Sequence, residues 1–143
     1  MTAMPLTGGC LCGAVRFEVT EPPVTASYCH CQRCQRRTGT AASVQVRIVP
    51  GSLRVTAGEE LLRAFEPEDG FPKYFCSACG SALWSSLPDT KQPVGIRMAA
   101  FDTDPGVRPA YRQFVAYAAT WEPIPGDGLP RYPERAPPQA GAR

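Results

Sequence analysis

The sequence predicts a mainly β domain of packed β-sheets with short irregular connections, and three observations predict it. Short segments repeatedly alternate apolar and polar side chains, the two-residue period of a half-buried strand. No long stretch carries a helical period. Seven cysteines fall into three tight, mostly glycine-flanked groups: Cys10-Leu11-Cys12, Cys29-His30-Cys31-Gln32-Arg33-Cys34 and Cys76-Ser77-Ala78-Cys79. Such groups read as metal-holding knuckles between strands.

The elements follow in order. Gly8-Gly9 and Gly13 flank the first cysteine pair and permit the tight turns that aim both sulfurs at one ion. Ala14 to Val19 alternates, with Val15, Phe17 and Val19 on one face and Arg16 and Glu18 on the other, until Pro22-Pro23 breaks it. Val24 to Tyr28 forms a second short strand that leads into the cysteine triple. Gln35-Arg36-Arg37 completes one helical turn, which Thr38-Gly39-Thr40 ends. Ala42 to Val49 alternates through Val44, Val46 and Ile48, and Pro50-Gly51 turns the chain. Leu53 to Thr56 and Leu61 to Phe65 are further strands. Lys73-Tyr74-Phe75 enters the last cysteine pair and Ala82-Leu83-Trp84 leaves it. Val94 to Phe101 and Tyr111 to Trp121 are the last ordered segments. A domain over residues 1–132 is expected, followed by a Pro/Ala/Arg-rich tail over 133–143 that frays.

With 143 residues, the chain matches one domain able to bury a core. A hydrophobic fraction of 43% and a charged fraction of 20% are globular values. A net charge of +2 gives no reason to expect nucleic-acid or membrane partners. No secretory signal is read in Met1 to Gly9, and no segment approaches the ~20 apolar residues of a membrane span. An odd number of clustered cysteines fits a reducing, cytoplasmic setting, where such clusters hold metal.

Four cysteines in two pairs and three in one group predict two unlike centres. Joining Cys10 and Cys12 to Cys76 and Cys79 gives a complete four-thiolate site, which is structural. Cys29, Cys31 and Cys34 supply three ligands and leave one position for water, substrate or another side chain, the arrangement of a working zinc. His30, the sole histidine, is a candidate fourth ligand. In an extended segment, however, it points away from its cysteine neighbours and packs behind the site. A rival pairing joins Cys31 and Cys34 to Cys76 and Cys79 as a ribbon site. The gap between those knuckles exceeds the usual spacing of roughly 15–20 residues and leaves Cys10 and Cys12 without a role. Thiolate knuckles favour zinc over iron. Arg33, Arg36 and Arg37 crowd the triple, either to grip carboxylates of a thiol-bearing ligand or as a solvated basic turn.

Gly8-Gly9-Cys10-Leu11-Cys12-Gly13-Ala14-Val15-Arg16-Phe17 resembles the opening of the glutathione-dependent formaldehyde-activating enzyme family, which shares its domain with centromere protein V. The resemblance continues through the cysteine triple to Thr38-Gly39. It runs on through Phe75-Cys76, Cys79-Gly80-Ser81 and Leu83, and resumes at Trp121 and Leu129-Pro130-Arg131-Tyr132. It implies a zinc-stabilised β-tent fold. It further implies two zinc ions per chain, one structural on Cys10, Cys12, Cys76 and Cys79, and one catalytic on Cys29, Cys31 and Cys34. The activity implied is a carbon–sulfur lyase reaction that joins glutathione to formaldehyde as S-hydroxymethylglutathione. Three classes of function are compatible with the residues: an enzyme acting on thiol adducts of small aldehydes, a non-catalytic zinc-binding interaction module, and a thiol or metal sensor.

Overall fold

A computed structural model describes residues 3–141 and shows two sheets joined by short connections. The strands are β1 (Leu6–Gly9), β2 (Arg16–Val19), β3 (Thr25–Cys29), β4 (Ser43–Arg47), β5 (Leu53–Ala57), β6 (Leu62–Phe65), β7 (Lys73–Cys76), β8 (Ala82–Ser86), β9 (Pro93–Arg97), β10 (Pro109–Gln113) and β11 (Arg131–Tyr132). One α-helix, α1 (Gln32–Thr38), follows β3. The smaller sheet has the order β1-β2-β5, and the larger β11-β10-β3-β4-β9-β8-β7-β6. Most pairings are antiparallel; β10 runs parallel to both β3 and β11. The mainly β expectation holds.

Alternation explains how the sheets meet. Phe17 and Val19 of β2 are buried, as are Val46 of β4, Leu83 and Trp84 of β8 and Ile96 of β9, and they share one core. Phe17 stands edge-on to Trp84 at 5.8 Å and to Phe101 at 5.7 Å between ring centres, an arrangement favoured by aromatic quadrupoles. The register sets Val46 and Trp84 opposite Ile96, and Ala26 opposite Val46. Successive strand residues point to opposite faces, so Ser27, Gln45, Gly95 and Ser85 share the other face of the large sheet. One face is the core; the reverse face is polar.

Three segments depart from the sequence expectation. Leu6–Gly9 is a strand, although its glycines read as a turn. The segment expected over 94–101 is strand only to Arg97, and Met98–Ala100 is a 3-10 turn. The segment over 111–121 stops at Gln113, because Phe114 takes a left-handed conformation (φ 57) that no strand allows, and Trp121 is exposed. The composition of residues 133–143 predicts fraying. Of these, residues 133–141 lie beside β10: Phe114 N–H donates to Glu134 O, and Ala136 N–H donates to Gln113 Oε1 at 3.0 Å, with Ala136 buried. Residues 142–143 fall outside the described residues.

Candidate functional site

The first cysteine pair follows β1 and the last pair lies between β7 and β8, so the four-cysteine cluster spans both sheets. Each knuckle is closed by a glycine with positive φ. Gly13 (φ 80) donates to Cys10 O, and Gly80 (φ 78) donates to Cys76 O at 2.7 Å. The sulfurs of Cys10, Cys12, Cys76 and Cys79 all lie within 4.8 Å of one another and could hold a metal ion. Thiolates at about 2.3 Å from a tetrahedral zinc stand roughly 3.8 Å apart. The Cys10–Cys12 and Cys12–Cys76 sulfur distances, 3.5 and 4.0 Å, fit that figure. Cys10 and Cys76 belong to the hydrophobic core, and the Ser81 hydroxyl helps pull the Cys79 thiol down to about 5. The rival ribbon pairing is not the one that the fold assembles.

Cys29, Cys31 and Cys34 form the second cluster, again with all sulfurs within 4.8 Å. Cys29 ends β3 and Cys34 sits in the first turn of α1. Cys31 caps the helix, and its sulfur accepts the Cys34 N–H at 3.3 Å. Crowding separates their acidities. Hydrogen bonds from Cys29 and Cys31 push the Cys34 thiol well down, while those from Cys31 and Cys34 push Cys29 up. Three soft thiol donors suit zinc.

A second observation fits an anionic thiolate centre. Arg97, only 7% exposed, has all three guanidinium nitrogens buried without a hydrogen-bond partner among the described residues, and one nitrogen of Arg37 is in the same state. Burial, then the like charge of Arg97, lowers Arg37 to about 10, while Cys34 opposes that shift. Buried cations without partners are costly. Thiolate charge at Cys34 supplies the compensation they lack.

His30 faces away from the sulfurs. Its Nε2 lies 3.1 Å from Arg112 Nη1, and burial, then Arg112, lowers its pKa. Arg112 is itself buried, stacks 4.0 Å from the Tyr28 ring and donates to Asp127 Oδ2 at 2.8 Å. His30 thus supports the cysteine segment from behind, as the extended-chain argument expects.

The three-cysteine cluster opens into a cavity of about 670 Å³ whose floor is the polar face of the large sheet. Four cations line it: Arg33, Arg47, Lys73 and Arg135. The single acid among the lining residues, Asp69, is held by Arg33 at 2.8 Å. Of the three arginines that the sequence nominates, only Arg33 reaches the cavity; Arg36 is exposed on α1, and Arg37 is half buried, in the field of Arg97. Arg47, Lys73 and Arg135 were missed because they are far in sequence from the cysteine triple, Lys73 lying instead beside the last cysteine pair. The alternation that puts Val46 in the core places Arg47 on the cavity side, a usable but unspecific signal.

Small two-sheet proteins with a complete four-thiol cluster and a three-thiol cluster on a cavity form a class that could hold metal at two unlike places. The particular family follows from comparison with known proteins: the chain belongs to the family described as "Glutathione-dependent formaldehyde-activating enzyme", whose model matches residues 5–117. A Halomonas elongata protein named "Putative glutathione-dependent formaldehyde-activating enzyme" is 34% identical over 107 residues, covering 71% of this chain and 68% of the relative. A crystal structure of a Rhodobacter sphaeroides protein superposes with a TM-score of 0.51 at 30% identity, covering 72% of this chain and 91% of that one. Among the described residues, no helix is long and apolar enough to cross a membrane.

Proposed function

We propose that this chain is a zinc-dependent carbon–sulfur lyase that joins glutathione to formaldehyde at the Cys29, Cys31 and Cys34 cluster. The observation that carries the reading is the position of that cluster, which borders a cavity large enough for a small peptide thiol and rimmed by cations. Family membership supports the substrate pair. Cys10, Cys12, Cys76 and Cys79 would hold a second, structural zinc, giving two per chain. That all seven cysteines are free fits a reducing, cytoplasmic setting. The domain is assigned to residues 1–132, with 133–143 as an appended segment.

The reaction is balanced without an oxidant. The sulfur forms one bond to the carbonyl carbon, the C=O π bond breaks, and the thiol proton ends on the new hydroxyl. Zinc on three cysteines would supply a fourth position that takes an incoming thiol as thiolate. The chain's own contribution is to fix the thiol beside the aldehyde and to exclude bulk water, so proximity does most of the work. Arg112, through His30, holds the cysteine segment against β10.

The test is formaldehyde consumption with glutathione, with and without protein, beside the spectrum of the cobalt-loaded protein. Faster consumption than with glutathione alone, abolished by Cys31→Ser, is expected, with a glutathione-dependent change in the three-cysteine spectrum only. Spectral change without turnover would reject the lyase reaction. Absence of any response to small thiols would favour a non-catalytic zinc module, and oxidative release of zinc a sensor.

A further inference from the structure

Residues 133–141 lie beyond the part of the chain that the family model matches, yet they build one wall of the cavity. Arg135, Ala136 and Pro138 line it. The segment is fastened along its length. Phe114 N–H and Ala116 N–H donate to Glu134 O and Pro133 O, at 3.0 and 3.2 Å. The Tyr117 hydroxyl donates to Glu134 Oε1 at 2.7 Å, and Ala136 N–H to Gln113 Oε1. Farther on, Gly141 is packed so closely that a Cβ there would stand 2.6 Å from Thr25 Oγ1 and 3.2 Å from the Tyr111 ring.

The charges that this wall presents are unmatched. Glu134, the carboxylate next to Arg135, is taken by Tyr117. Arg135 instead lies over the Phe71 ring at 5.9 Å, and Lys73 lies over the same ring at 5.9 Å. Phe71 therefore spaces two cations at the cavity edge. Among the described residues, Lys73 has a hydrogen bond only to the neutral Ser85 hydroxyl, at 3.1 Å, and Arg47 on the floor pairs with no carboxylate. Three cations facing a cavity without a free acid make a receptor for a multiply charged anion.

We infer that residues 133–141 form a strap that completes the ligand cavity, and that Arg135 with Lys73 grips a carboxylate of the thiol bound there. The site would then select peptide thiols carrying carboxylates over neutral thiols of the same reactivity. The inference rests on the proposed thiol-binding function and names the part of the chain that sets its specificity.

Calorimetric titration of the zinc-loaded protein with glutathione, glutathione diethyl ester and 2-mercaptoethanol tests it. The unmodified chain should bind glutathione at least tenfold more tightly than either thiol without carboxylates. Arg135→Ala and Arg135→Glu should each cost roughly tenfold for glutathione, more for the reversal, and nothing for 2-mercaptoethanol. Arg135 is exposed, so these variants fold, and equal urea midpoints verify it. Glutathione affinity unchanged by both Arg135 variants would overturn the strap while leaving thiol binding intact. Failure of the unmodified protein to bind any thiol would overturn the underlying function itself.

Discussion

Breaking the two cysteine clusters should have unequal consequences, and the inequality can be sized from the fold. Cys12 and Cys76 are 64 residues apart in sequence and their sulfurs are 4.0 Å apart in space. Metal held there would tie the small sheet to the large one. Cys29 to Cys34 spans only five residues within one strand–helix corner. Loop-closure entropy scales as about (3/2)RT ln n, so the longer tie is worth about 2 kcal/mol more than the short one from chain statistics alone. Burial acts in the same direction. Cys10 and Cys76 lie in the shared core, so an incomplete cluster strands polar sulfur there, whereas Cys31 is half buried at the cavity. Serine at position 31 also retains a side chain able to cap α1. The experiment is urea unfolding of the zinc-loaded protein with Cys79→Ser or Cys31→Ser. With a urea slope of about 2 kcal/mol per molar, the Cys79 variant should unfold at least ~1 M lower than the Cys31 variant. Mild chelation should likewise remove one zinc without unfolding, and the second only with it. Equal midpoints, or loss of both metals in one step with the fold intact, would refute the division into structural and working clusters.

Two further outcomes follow from the packing. Phe17→Ala removes the ring that meets Trp84 and Phe101 between the sheets, and should cost about 3–5 kcal/mol in denaturant unfolding. Trp121→Ala, at a side chain 67% exposed, should stay within about 0.5 kcal/mol, and a comparable loss at both positions would deny that Phe17 joins the sheets. Arg97→Met removes the buried cation whose charge helps lower the Cys34 thiol, and should move that thiol's pKa upward, read from the pH dependence of its alkylation in the metal-free protein. The same change should weaken zinc at the three-cysteine cluster by about tenfold in competition titrations and leave the four-cysteine cluster untouched; equal affinities would show that Arg97 does not balance the thiolates.

The grouping of the cysteines was legible in the sequence because local chemistry fixes it. Two residues between Cys76 and Cys79, with Gly80 behind them, can curl in few ways, and the pairing with Cys10 and Cys12 is the arrangement the fold assembles. Strands β2 and β4 were legible through alternation, and β7 and β8 through their place on either side of the last cysteine pair. The strand at Leu6–Gly9 was not, because glycine has no side chain with which to show a period. The ends of β9 and β10 were hidden because Met98–Ala100 coil into a 3-10 turn and Phe114 turns left-handed without a glycine or proline to mark it. The cavity was the largest omission. Its cations come from α1, β4, β7 and the segment after β11, and only tertiary structure brings them together. The same holds for residues 133–141: their composition says nothing of the Gln113 and Tyr117 side chains that hold them.

One alternating pattern builds both halves of the molecule. On the large sheet, Ala26, Val46, Ile96 and Trp84 face the small sheet, and their immediate neighbours Ser27, Gln45, Gly95 and Ser85 face the cavity. The four-cysteine cluster lies at the core, with Cys10 and Cys76 part of it, and its sulfurs come from segments that adjoin both sheets. The three-cysteine cluster sits on the reverse face, at a corner whose loss leaves the sheet pairing intact. Its nearby cations, Arg37 on α1, Arg97 in the field of Cys34, and Arg47, Lys73 and Arg135 lining the cavity, outnumber the one engaged acid, Asp69. An anionic thiol entering the cavity thus meets favourable potential before it meets the cysteines, and most of that potential comes from residues outside the cysteine motifs. Substitution at Arg47, Lys73 or Arg135 can therefore retune the ligand without touching either cluster or the core.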